Sequence, residues 1–139
     1  MEYNNVKNAL KAALKFAGLD ETTAATLLWR GKEQTLNQGE IIYTEGAKLD
    51  QTFCLLLSGT LQIRNNQGIV TELAESRFFG EMAYFISSRT RRATVTVSSI
   101  QAVMLKFHLT AAELASARFN TLRNYLSRQT LDRMVALAA

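Results

Sequence analysis

The sequence predicts a mainly β fold with helices at both ends, a small jelly-roll-like antiparallel barrel. Three observations carry this. Apolar residues recur at helical spacing near the N-terminus and again beyond Leu109. Between these ends lie short apolar and β-branched runs, broken by Gly, Ser and Asn at intervals of about ten residues, as in small all-β domains. The length of 139 residues, with 47% hydrophobic and 20% charged residues, suffices for one core and hardly for two.

The elements follow in order. Val6, Ala9, Leu10, Ala13, Leu14 and Ala17 line one face of a first helix, capped by Asn4 or Asn5 and stopped by Gly18. Asp20 caps a second, shorter helix running to Trp29, so residues 1–32 read as helical. From Glu33 the pattern changes: Asn37, Gln38 and Gly39 form a turn ahead of a short β-like run that ends at Gly46. Two strand-like runs follow, broken at Ser58-Gly59, with a hairpin signal over Asn65 to Gly68. After an interruption at Phe79 to Val95, two more runs are separated by Ser98-Ser99, which completes a barrel over 33–109.

Residues 110–139 return to helical periodicity as one long C-terminal helix with Thr110 as its cap and no internal Gly or Pro. Leu122, Tyr125 and Leu126 belong to its apolar side. Arg118, Arg123, Arg128 and Arg133 recur every five residues, an interval that spirals around a helix, so they read as solvated surface rather than a nucleic-acid stripe. No repeat or linker divides the chain, and 1–139 is expected to be a single domain.

Composition narrows the function. Sixteen Lys+Arg against 12 Asp+Glu give a net charge of +4 without any block of like charge, which fits a small anionic ligand or weak nucleic-acid contact. One cysteine, Cys54, excludes an internal disulfide and suits a reducing compartment. No apolar run approaches the roughly 20 residues that span a bilayer. With no signal-peptide pattern at the N-terminus, a cytoplasmic protein without a membrane partner is expected. Catalysis is not expected: His108 is the one histidine, Ser87-Ser88 has no neighbouring base, and Cys54 sits inside an apolar strand where thiols are inert. No metal site or cofactor is expected either.

The interruption reads "FGEMAYFISSRTRRATV" from Phe79 to Val95. A strand ending in Phe79-Gly80 and followed by Glu81-Met82-Ala83 is a strand-to-helix turn. Glycine permits close backbone approach there, and the first amides of the helix are open to an anion. An arginine after the polar loop can grip two phosphate oxygens through its planar fork. Glu81 can accept hydrogen bonds from a sugar hydroxyl beside the phosphate. The set reads as a cradle for a sugar phosphate, although singly each residue is equally a turn glycine, a helix-start acid or a strand-entry arginine.

Phe79-Gly80-Glu81-Met82-Ala83 together with Arg91 and Ala93-Thr94-Val95 resembles the phosphate-binding cassette of the cyclic nucleotide-binding domain family. The family includes the ligand modules of catabolite activator proteins and protein kinase A regulatory subunits. The resemblance covers the whole chain: "GEIIYTEG" resembles the first barrel strands and "LLLSGTLQI" the strand-turn-strand around a family glycine, here Gly59. It implies a cyclic nucleotide, cAMP or cGMP, as ligand. Gly80, Glu81, Met82, Ala83, Arg91, Arg92 and Ala93 are the implied binding residues: Glu81 for the ribose 2′-hydroxyl, the Met82 and Ala83 amides and Arg91 for the phosphate, Arg92 and Ala93 as lining. The family reads guanine partly through a threonine after the phosphate arginine, which is absent here, so cAMP is the expected ligand. Leu122, Arg123, Tyr125 and Leu126 are the candidates for capping the base.

The chain departs from the family pattern at Arg92, where a small residue is usual and a second arginine either adds charge or crowds the pocket. Counting back from Ala93 makes Arg91 the phosphate ligand; a shift of one residue gives that role to Arg92. The turn from Gly46 to Phe53 is one residue longer than usual and the cassette loop is at the long end, neither on an expected contact. The resemblance implies output through the C-terminal helix to an effector protein or a homodimer partner. Two alternatives stand beside it. One is a degenerate, non-binding module of the same fold used for protein interaction or dimerisation. The other is the sensor half of a transcription regulator, with no direct DNA contact because the sequence ends within the helix that would precede a recognition helix.

Overall fold

The computed structural model describes residues 18–68, 70–74 and 77–138. The amphipathic run from Val6 to Ala17 lies outside the described residues. Helix α1 spans Glu21–Arg30, and its cap is the one expected: the Asp20 carboxylate accepts from the Thr23 amide at 2.7 Å. Eight strands follow: β1 Gly31–Asn37, β2 Ile41–Tyr43, β3 Thr52–Ser58, β4 Leu61–Arg64, β5 Val70–Leu73, β6 Phe78–Phe79, β7 Thr94–Val97 and β8 Gln101–His108. Helix α2, Met82–Phe85, lies between β6 and β7. After β8 come α3, Ala111–Leu114, a 3-10 turn over Ala117–Phe119, and α4, Asn120–Ala138.

The strands form two antiparallel four-stranded sheets, ordered β1-β8-β3-β6 and β2-β7-β4-β5. The jelly-roll-like β fold is as expected, but no strand pairing among the described residues joins the sheets, so the barrel is open. β1 has no clear signature in the sequence. As an edge strand beside β8 it buries little, and Lys32, Glu33 and Gln34 occupy it without an apolar alternation.

β3 explains the uninterrupted apolar run "TFCLLL". Phe53, Leu55 and Leu57 face a core shared with Leu27, Tyr84, Leu114, Leu122 and Leu126 of the helices. Cys54 and Leu56 face the second core, between the sheets, with Tyr43, Leu61, Phe79, Val95 and Met104. A strand covered on both faces needs apolar residues at every position. The turn out of β3 is fixed at Gly59, where φ is +89° and a Cβ would stand 2.5 Å from the Gln101 carbonyl oxygen.

The single helix expected over 110–139 is instead three pieces. Thr110 does cap, through a reciprocal box with Glu113, but it caps α3, whose end lies at Ala115. Ser116 then adopts an extended backbone, φ −69° and ψ 159°, before the 3-10 turn leads into α4. The break lets Leu114 and Phe119 both enter the helix-side core, which a straight helix would not allow. No Gly or Pro announces it.

Candidate functional site

The site is built where β6 ends. Gly80 has φ +82°, and a Cβ there would lie 2.6 Å from the Tyr43 ring. Both the conformation and the close approach require glycine. The chain then turns into α2, with Glu81 at the N-cap position and Met82 and Ala83 supplying the first helical amides, which by helix geometry lack partners within the helix.

The Glu81 carboxylate makes no bond to its own helix; it is fully buried and turned to α4. Its Oε1 accepts from Arg133 Nη1 at 2.6 Å and from Gln129 Nε2 at 3.0 Å. The same two side chains donate to the Phe78 carbonyl, each at 2.8 Å. Glu81 Oε2, Gln129 Oε1 and Thr130 Oγ1 are buried without a partner among the described residues. A flipped Gln129 amide would set its oxygen against two acceptors, so Oε1 is held away from both.

Arg91 is also buried, at 5% exposure. Its Nη1 donates to the Gly80 carbonyl at 2.6 Å, and its Nη2 donates to Asp50 Oδ1 at 2.7 Å and to the Thr52 carbonyl at 2.9 Å. The Tyr43 ring covers one face, with its centroid 3.7 Å from the guanidinium carbon. Backbone bonds hold the position: Arg91 N donates to the Ala47 carbonyl at 2.7 Å, and Gly46 N donates to the Arg91 carbonyl at 2.8 Å. Thus the 46–49 turn carries the arginine to the cassette turn.

Burial works against charge on Asp50, but the Thr52 hydroxyl and the Arg91 guanidinium outweigh it and hold the carboxyl below its ordinary value. Burial pushes the Cys54 thiol up to about 12, so it is no nucleophile.

Of the residues expected from the sequence, Gly80, Glu81, Met82, Ala83 and Arg91 come together around one turn. Arg92, the alternative in the register, is exposed, and Ala93 is half-buried. The base-capping candidates lie elsewhere. Leu122 and Leu126 are core residues, Tyr125 packs edge-on against Phe78, and Arg123 donates to the Ala115 carbonyl and to Asn120. The five-residue spacing places Arg133 on a solvated face, yet its guanidinium is docked on Glu81 because α4 turns that side to the cassette. The longer 46–53 turn, expected to bear no contact, carries Asp50. It closes through a left-handed Gln51, φ +64°, whose side chain accepts from the Ala111 amide at 2.7 Å. Tyr43, Asp50, Thr52, Gln129 and Arg133 are the site's unanticipated members. The Gln129/Arg133 spacing of four was the available signal, since such a pair shares one face of a helix.

Among the described residues no helix is long and apolar enough to cross a membrane, and no group of His, Cys, Asp or Glu side chains is arranged to hold a metal ion.

Comparison with known proteins bears on the fold and the family. No curated protein sequence matches the chain. Solved structures do. PKAR CBD2 bound to Sp-2Cl-cAMPS superposes with a TM-score of 0.76 at 19% identity, covering 94% of this chain and 85% of that one. The sensor domain of the transcriptional regulator DNR from Pseudomonas aeruginosa gives 0.66 at 18% identity, covering 91% of each chain. The regulatory subunit of a cAMP-independent protein kinase A from Trypanosoma brucei gives 0.72 at 16% identity, covering 85% of this chain but 42% of that one. At these identities the likeness establishes the fold. The family follows from the sequence model of the cyclic nucleotide-binding domain, which matches residues 33–111. The chain belongs to the cyclic nucleotide-binding domain family.

Proposed function

We propose that the chain is a regulatory module that binds a cyclic nucleotide, cAMP in preference to cGMP, and passes the event on through α4. The cyclic phosphate is held by Arg91 and the amides of Met82 and Ala83, with Ala93 at its edge, and the ribose 2′-hydroxyl by Glu81. Arg92 contributes positive potential from the surface rather than a direct bond. The observation that carries this reading is the divided carboxylate of Glu81: Oε1 is bonded to Arg133 and Gln129 of α4, while Oε2 is unpartnered among the described residues. A hydroxyl on Oε2 and α4 on Oε1 share one buried charge, so ligand and helix act on the same group.

Oε2 is the acceptor left for the sugar hydroxyl while Oε1 stays with Arg133 and Gln129, so ligand and docked α4 favour the same state. Gln129, which bonds Glu81 and carries an unpartnered buried oxygen, takes the place of the base-capping candidates read from the sequence. The test is thermal unfolding with cAMP and cGMP in turn. At a hundred times its dissociation constant a ligand adds about 2.7 kcal/mol, and no shift with either nucleotide overturns the reading.

A second reading keeps the fold without a ligand. Three of the five Arg91 N–H donors are already taken by Asp50 and two carbonyls, and Leu131 and Met134 of α4 are exposed at 61% and 46%, as on a helix that meets an effector or a second copy. Concentration-dependent association combined with no nucleotide response supports it.

A further inference from the structure

Tyr43 is buried at the end of β2, opposite Val95 of β7, and its ring covers a face of the Arg91 guanidinium. Its ring is held on several sides, with Cys54 Sγ 3.3 Å from the phenol oxygen. The Thr52 hydroxyl gives its one hydrogen to Asp50 Oδ1, at 2.6 Å, so across the 2.9 Å between Tyr43 and Thr52 the phenol is the donor. Phe79 packs edge-on at 6.1 Å between centroids. Gly80, lacking a Cβ, lets the ring lie against the backbone of the cassette turn. Burial raises the phenol above its ordinary pKa. The neutral ring therefore acts on Arg91 through its π face, with Lys106 Nζ at 5.5 Å from the same centroid.

We propose that Tyr43 is a positioning residue for the phosphate site: its ring holds the Arg91 guanidinium in the plane from which it meets an anion, and so sets affinity for the anionic half of the ligand. This rests on the reading of Arg91 as the phosphate ligand. Hydrogen bonds from Nη1 and Nη2 act in the plane of the guanidinium and restrain movement within that plane more than a tilt out of it. A ring stacked on the face removes the tilt. Three of the five N–H donors are taken by Gly80, Asp50 and Thr52, which leaves Nε–H and one hydrogen on Nη1 for oxygen atoms of a ligand. Their direction depends on that plane.

The test compares wild type with Tyr43→Phe, Tyr43→Leu and replacement of Tyr43 by pentafluorophenylalanine, which keeps the ring's shape and reverses its quadrupole. Nitrogen-15 relaxation of the Arg91 Nε–H in ligand-free protein reads the tilt directly. Calorimetry with cAMP, and competition with adenosine, which has no phosphate, reads the consequence. Tyr43→Phe should keep the Nε–H ordered and cAMP affinity within about threefold. Fluorination should loosen the Nε–H and weaken cAMP by roughly 3- to 30-fold while leaving adenosine unchanged, and Tyr43→Leu should do the same where it folds. Equal order of Nε–H across all variants overturns the proposal, as does an equal loss for cAMP and adenosine, which marks a merely structural tyrosine. Wild-type protein that binds no cyclic nucleotide overturns the ligand assignment. In that case the relaxation data alone decide the ring's role: supported if fluorination loosens Nε–H, overturned if it does not.

Discussion

At the residue scale the site turns on two buried charges of opposite sign, and each has a partner whose removal has a distinct signature. On the proposed reading Arg91→Ala removes the phosphate-binding guanidinium and should weaken cAMP binding by roughly 2–5 kcal/mol, the range for losing one member of a buried charged hydrogen bond. Arg92→Ala, at an exposed position, should change it by less than about 0.5 kcal/mol; calorimetry on the two variants checks both. Asp50 gives a pH signature. Its folded pKa lies below the unfolded value, so its contribution to stability is complete above the unfolded pKa, about 4. It is lost as pH falls through the folded pKa. Urea melts between pH 5 and 2 should therefore show wild type losing stability faster than Asp50→Asn, although the variant is the less stable of the two at pH 7. A gap between the two that stays constant with pH would show that Arg91 takes nothing from the Asp50 charge. The sequence exposed Gly80, Glu81 and Arg91 because the cassette is contiguous. It hid Asp50, Thr52 and Tyr43 because their roles exist only once the 46–53 turn folds across Arg91.

At the element scale the critical joint is that between α2 and α4. Arg133 and Gln129 donate both to Oε1 of the Glu81 carboxylate and to the carbonyl of Phe78, whose strand delivers the cassette. Arg133→Ala leaves a fully buried carboxylate with only a neutral donor, which should cost about 3 kcal/mol by analogy with broken buried pairs. Hydrogen exchange should localise the loss to α4. The Arg30–Glu113 pair joins α1 to α3, but its side chains are 40% and 35% exposed, so Arg30→Ala should cost at most about 1 kcal/mol. Thermal melts on the two variants compare them directly, and equal losses would contradict the burial argument. Elements themselves were legible where a pattern was repeated: α1, β3, the β4–β5 hairpin and β8 all follow spacing or turn residues. The division of 110–139 was not, since Ser116 breaks the helix through packing of Leu114 and Phe119 rather than through a breaker residue. The recurrence of arginine every five residues concealed Arg133 for a related reason: periodicity describes one straight helix, and α4 begins only at Asn120.

At the scale of the whole molecule, the two cores meet at β3, and the site spans both. Tyr43 and Phe79 belong to the inter-sheet core, while Phe78 and Tyr84 belong to the helix-side core with Leu122 and Leu126 of α4. A ligand at Arg91 and Glu81 therefore touches the inter-sheet core through the arginine and α4 through the acid. Coupling of this kind is reciprocal: whatever free energy α4 docking lends to nucleotide binding, the nucleotide lends to α4 docking. Arg133→Ala distinguishes the two possible signs. If Arg133 must leave Glu81 for the sugar to enter, the variant should bind cAMP more tightly than wild type. If Oε1 keeps Arg133 while Oε2 takes the hydroxyl, the variant should bind more weakly, and cAMP should slow amide exchange along α4 in wild type but not in the variant. The unpartnered Oε2 selects the second outcome, because the carboxylate already holds a vacant acceptor and need not exchange one partner for another. A loss of roughly 5- to 30-fold in cAMP affinity on Arg133→Ala, matched by an equal loss of ligand-induced protection in α4, is the expected result. An unchanged affinity would separate the helix from the ligand, and the output of the module would then have to leave by another element.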